Sequence, residues 1–141
     1  MENYQEIIIE WSNSMQIDQV KGNTKDVLYQ IYGDHALYGK NTLLYMGISK
    51  DVTIRFKTHV KGVFGFVNNK SVRIGTITRG EVPSLEIPES ILIANHKPSF
   101  NKEFIHDLSP LAKKHKVLLI NNGNRGMLQS CCTNFWWVDR K

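Results

Sequence analysis

Four tyrosines fall between residues 27 and 60, and two of them, Tyr29 and Tyr45, sit late in the short apolar runs VLYQI and TLLYMGI. Arg55 and His59 follow, four residues apart, so on a helix their side chains stack on one face. A guanidinium placed there can fork onto a phosphate, and a neutral imidazole beside it can accept or relay a proton. Further along stand Glu89, in the first turn of an apolar helix, and Asn101, three residues after a proline. Each also has an ordinary structural use. Tyrosine is a preferred strand residue, an Arg/His pair makes an exposed basic face, and a first-turn glutamate complements the helix dipole.

The elements that must position these residues can be read from periodicity and turn chemistry. NYQEIIIEWSNSM has apolar residues at 7, 8, 9, 11 and 15, which predicts an opening helix over 3–16. A polar connector leads to a strand over 26–33 and a second over 42–48, joined as a hairpin through a loop rich in Gly, Asp and Asn. Ser49 or Asp51 caps a helix to about Val60, with Gly62 as its stop and Val52, Phe56 and Val60 as its buried stripe. KSVRIGTITRG (70–80) alternates as a third strand; Pro88 and Glu89 open a helix with Ile91, Leu92 and Ile93 at its core. KVLLINNG (116–123) offers a further strand, and the aromatic tail has no clear place. The expected fold is one α/β (α+β) domain over 1–141, a small, mainly antiparallel three-stranded sheet flanked by helices.

With 141 residues, 41% of them hydrophobic, the chain can build a core without disulfides. Cys131 and Cys132 are adjacent and match no zinc spacing, which suits a reduced, cytoplasmic protein. No apolar run approaches the length of a membrane span, so no membrane partner is expected. Eighteen Lys and Arg against thirteen Asp and Glu give a net charge of +5. That balance suits a polyanion, with Lys57, Lys61, Arg73 and Arg79 as contacts to nucleic acid.

Order and spacing join the singled-out residues. VLYQI, YMG followed by ISKD, Arg55 ten residues after Tyr45, His59 one turn later, and ESILIANHKPSFN together resemble the GIY-YIG nuclease superfamily over about 27–102. The sequence departs from the pattern in three places: Val27 stands for the first glycine, GDHALYGKN lengthens the hairpin loop, and Ile48 stands where some members carry lysine. The insertion makes Tyr32 and Tyr38 rivals for the first tyrosine, and YQI favours Tyr29.

The resemblance implies a GIY-YIG endonuclease-like fold and a metal-dependent DNA endonuclease, with RNA as the alternative substrate, acting as a monomer or homodimer. Glu89 would hold one divalent ion, Mg²⁺ or Mn²⁺, because the motifs offer no second acidic ligand. Tyr29 would activate water, its pKa lowered by Lys50, Arg55 or the metal, and His59 would carry the proton away. Tyr45 would position water or phosphate, and Arg55 would oppose the phosphate charge. Asn101 would fix Glu89 or the site's backbone. His35, in the inserted loop, is a further proton carrier or DNA contact. The competing readings are a catalytically silent nucleic-acid-binding module and a basic scaffold whose matches are coincidental.

Overall fold

Ile7, Ile9 and Trp11 are buried while Glu6 and Glu10 face solvent, a period of two that makes Gln5–Trp11 a strand, β1. The expected helix over 3–16 is therefore overturned. Three consecutive isoleucines and a tryptophan satisfy either period, and β-branched stiffness favours the strand. The computed structural model describes residues 3–20, 25–51 and 54–138, without the side chains of 25, 51, 54–56 and 59. The remaining elements are β2 (Lys25–His35), β3 (Gly39–Asp51), α1 (Ile54–Val63), β4 (Ser71–Arg79), α2 (Glu86–His96), β5 (Val117–Gly123), β6 (Cys131–Thr133) and α3 (Phe135–Val138). None of the helices is long and apolar enough to cross a membrane among the described residues.

The strands form one sheet in the order β3-β2-β4-β1-β5-β6. This corrects the expected three-stranded sheet flanked by helices: the sheet has six strands, is mixed, and curls into a half-barrel with only short helices. Its mixed character comes from β1, which runs antiparallel to β4 and parallel to β5. Gly75 makes the β1–β4 pairing possible. It lies opposite Trp11, and a Cβ there would stand 2.7 Å from the indole ring. The Trp11 indole N–H in turn donates to Asn121 Oδ1 of β5 at 3.0 Å.

Both faces of the sheet carry apolar clusters. Leu28, Met46, Ile7, Ile9 and Leu119 pack with Ile87, Ile91 and Leu92 of α2 in one. Val27, Tyr29, Ile31 and Val72 pack with Val60 and Phe64 in the other. Of the expected α1 stripe, Val60 is fully buried, whereas Val52 and the Phe56 side chain lie outside the described residues. α2 begins at Glu86, so Pro88 sits in the first turn, where its missing N–H costs nothing. It stops where Lys97 takes a left-handed conformation (φ 50°) ahead of Pro98.

Candidate active site

In the β2–β3 hairpin Tyr29 pairs with Gly47 and Ile31 with Tyr45. Tyr29 and Tyr45 are therefore diagonal neighbours on one face, and their ring centroids lie 6.1 Å apart. The Tyr29 ring lies over Gly47, where any side chain would collide: a Cβ at 47 would stand 2.6 Å from Tyr29 Oη.

β3 is the outer strand on its side of the sheet, so its outward backbone groups need partners. The segment after α2 supplies them. Phe100 N–H donates to Leu44 O at 2.9 Å. The buried Asn101 amide accepts from Met46 N–H through Oδ1 and donates to Met46 O through Nδ2, each at 2.9 Å. Asn101 thus does by side chain what a neighbouring strand would do by backbone, and it fixes the strand that carries Tyr45.

Docking this segment forms an open cleft of about 780 Å³ at the β3 edge, lined by Tyr45, Glu89, Asn101, Lys102 and Glu103 with phenylalanines around them. Glu89 projects from the first turn of α2. Its half-buried carboxyl is raised to about 7, by burial first and then by the negative charges of Glu86 and Glu103. Burial also raises Tyr45, with Glu89 adding to the effect. Tyr29 is raised further, by burial, by Tyr45 and by Glu89. The tyrosine pair and the carboxylate are thus electrostatically linked.

The other singled-out residues are distributed as follows. Arg55 and His59 lie on α1, and their side chains fall outside the described residues. Lys50, expected to lower Tyr29, is exposed and lines a separate cavity of about 570 Å³ with Asp26, Glu81 and Ser84. Among the described residues, burial, Tyr45 and Glu89 all raise Tyr29. Lys61 is ion-paired with Asp18 at 2.5 Å, and Lys57 lies within electrostatic reach of the same carboxylate. Arg73 donates to Asn124 O at 2.8 Å and lies over the Tyr32 ring, joining the loop before β6 to the sheet. Arg79 is exposed at the end of β4.

Of the rival tyrosines, Tyr32 is buried in a polar network with Gln30 and Met127 N–H, and Tyr38 is exposed on the hairpin loop. Neither joins Tyr45. His35, expected in an inserted loop, is instead the last residue of β2, paired with Gly39 across a turn at 36–38, and it stacks on Tyr38 with ring centroids 4.6 Å apart.

Sequence reading missed Glu103, Lys102 and the phenylalanines that wall the cavity. Their one signal is position, since Lys102 and Glu103 directly follow Asn101 and are carried in by it.

The donor set fits a hard divalent ion. Glu89 is half-buried, the negative charges of Glu86 and Glu103 raise its pKa and would be offset by a cation, and Glu103 lines the same cavity. Among the described residues no cluster of three or more His, Cys, Asp or Glu is poised around a metal. Comparison with protein-family models, with curated proteins and with solved structures finds no match to this chain.

Proposed function

We propose that the protein is a metal-dependent endonuclease of the GIY-YIG type that hydrolyses DNA phosphodiester bonds at the cavity beside β3. What supports the reading is one convergence: Tyr29 from β2, Tyr45 from β3 and Glu89 from α2, far apart in sequence, interact at a single site. The exposed Cys131 and the buried Cys132 are both free thiols, which supports a reducing, cytoplasmic setting.

Glu89 would hold one Mg²⁺ or Mn²⁺, with Glu103 beside it. Such an ion supplies charge relief at the phosphate and a water of lowered pKa when bound. Tyr45 lines the cavity, and its hydroxyl positions water or a phosphate oxygen. Tyr29, handing its own phenolic proton on to His59, would take the proton from the attacking water. Its phenol is held up in part by Glu89, so its readiness to act depends on the charge at that carboxylate. Arg55 opposes the phosphate charge, and His59 carries the proton away. Asn101 keeps the Tyr45 strand in place.

The test is nicking of supercoiled plasmid at low salt with Mg²⁺, with Mn²⁺ and with EDTA, beside Glu89→Gln. Metal-dependent nicking that disappears in the variant is the expected result. DNA retardation without nicking in either metal would return the silent binding module, a reading favoured by the raised pKa of Tyr29.

A further inference from the structure

A continuous series of aromatic rings leads from the surface into the cavity. Tyr38 stacks on His35 (4.6 Å, 25°), and His35 lies against Phe100 (5.6 Å). Phe100 contacts Phe66 (5.6 Å) and stacks near-parallel on Phe64 (6.2 Å, 23°), and Phe64 meets Tyr45 (5.4 Å). Two of these rings are open to solvent: Phe66 is 71% exposed and Tyr38 is 68% exposed. Phe66 and Phe100 form a ridge between the Tyr45 cavity and a second one of about 490 Å³ lined by His35, Asp34 and Val67.

The outer end is tied by hydrogen bonds. His35 Nδ1 accepts from Leu37 N–H at 3.0 Å and Tyr38 N–H at 3.2 Å, which leaves the proton on Nε2. Asp34 accepts from Asn41 N–H at 3.2 Å and from Asn69 Nδ2 at 2.7 Å, tying the end of the β2–β3 hairpin to the turn before β4. A ring that packs on a neighbour yet stays exposed keeps apolar surface in water, which a flat partner can cover. At the outer end the charges suit an anionic one, whereas the inner cavity sets Lys102 beside Glu89 and Glu103, whose charge a divalent ion would offset. Lys70 is held against Val67 O at 2.8 Å beside the outer cavity, and His35 offers an N–H. Asp34, the acid of the outer cavity, is already occupied by its two donors.

We infer that this shelf binds unpaired nucleotides of the DNA strand, their bases stacked on Phe66, Phe100 and the His35–Tyr38 pair, and so delivers a single-stranded segment to the Tyr45 cavity. Base faces are available for stacking only where the strand is unpaired, and every base has one. The inference rests on the nuclease reading and narrows its substrate to single-stranded or frayed DNA.

The test is fluorescence anisotropy of Glu89→Gln protein in EDTA with an oligothymidylate of about 12 nucleotides, within the usual site size. A blunt duplex of the same length is the comparison. The single strand should bind at least about tenfold tighter than the duplex, and Phe66→Ala should weaken it about 5- to 100-fold. Tyr38→Ala should weaken it less, and Phe66→Trp should restore it. Both side chains are exposed, so unchanged unfolding midpoints are expected for all three variants. Equal affinity for strand and duplex, no binding to either, or affinity indifferent to Phe66→Ala would overturn the inference. Because binding is read without metal or cleavage, failure here is separate from failure of the plasmid assay.

Discussion

Tyr29 lies across Gly47 so closely that a Cβ at 47 would stand 2.6 Å from its Oη and 2.7 Å from its Cζ. The glycine is there for the tyrosine. Gly47→Ala should cost about 1–3 kcal/mol by overpacking and displace the Tyr29 ring. In a Tyr29→Ala background the same change should cost less by about 0.5 kcal/mol or more, because only the 3.0 Å approach to Tyr45 Cε2 remains. Urea unfolding of the four proteins measures this. An undiminished cost in that background would mean that something other than Tyr29 excludes a side chain at 47.

Asn101→Ala should destabilise on the order of 2–4 kcal/mol, because it strips partners from both Met46 backbone groups at a buried edge. Nicking should fall as well, through loosening of the strand that carries Tyr45. Amide exchange at Met46 should quicken, an effect that loss of a group acting only in the chemistry would not produce.

Glu89 sets a pH dependence of definite sign. Its carboxyl rises from 4.5 to about 7 on folding, so between those values the folded chain holds a proton that the unfolded chain releases. The stability this contributes is complete below about pH 4.5 and is lost as pH rises through about 7. Glu89→Gln should therefore gain stability over the wild type at pH 8 and not at pH 4.5. The gain should be on the order of 1 kcal/mol, since solvent screens a half-buried group. Mg²⁺ at pH 8 should raise the unfolding midpoint of the wild type and not of the variant.

His96 has the opposite sign. Its Nδ1 lies 2.8 Å from Leu92 O and its Nε2 accepts from Gln129 N–H at 2.9 Å, so the neutral ring is fully used. Burial lowers its pKa below 6.5. The stability is present above pH 6.5 and is lost as pH falls through the folded value, when Nε2 can no longer accept. His96→Gln should be less sensitive than the wild type to a drop from pH 7.5 to 5. Because Glu89 moves the other way over part of this range, each group is read as a difference from its own variant.

The strands carrying the tyrosines were legible in sequence because each is a short β-branched or aromatic run closed by turn residues, and α2 because proline and glutamate open it. β1 was not legible. EIIIEW satisfies two periods, and its parallel partner Val117–Gly123 lies more than a hundred residues away, where no local rule reaches. Once β1 separates β4 from β5, a three-stranded sheet becomes six-stranded. In the site, Tyr29 and Glu89 could be named from spacing, but the direction of Tyr29's shift could not. Burial decides it, and burial depends on α1 and Phe64 closing over one face of β2. Glu103 and the phenylalanine walls belong to a loop whose position is set by Asn101 gripping Met46, a contact across 55 residues.

The central claim is that Tyr29 and Glu89 act together on a phosphodiester. The most direct measurement is the Mg²⁺-dependent nicking rate of Tyr29→Phe and of Glu89→Gln beside the wild type, at matched unfolding midpoints. Tyr29→Phe should lose about 10²- to 10⁴-fold, the range for removal of a positioned proton acceptor, and Glu89→Gln should lose metal-dependent nicking altogether, while both still bind DNA. Wild-type nicking by Tyr29→Phe would contradict the account, since the phenol would then be only a core ring packed over Gly47.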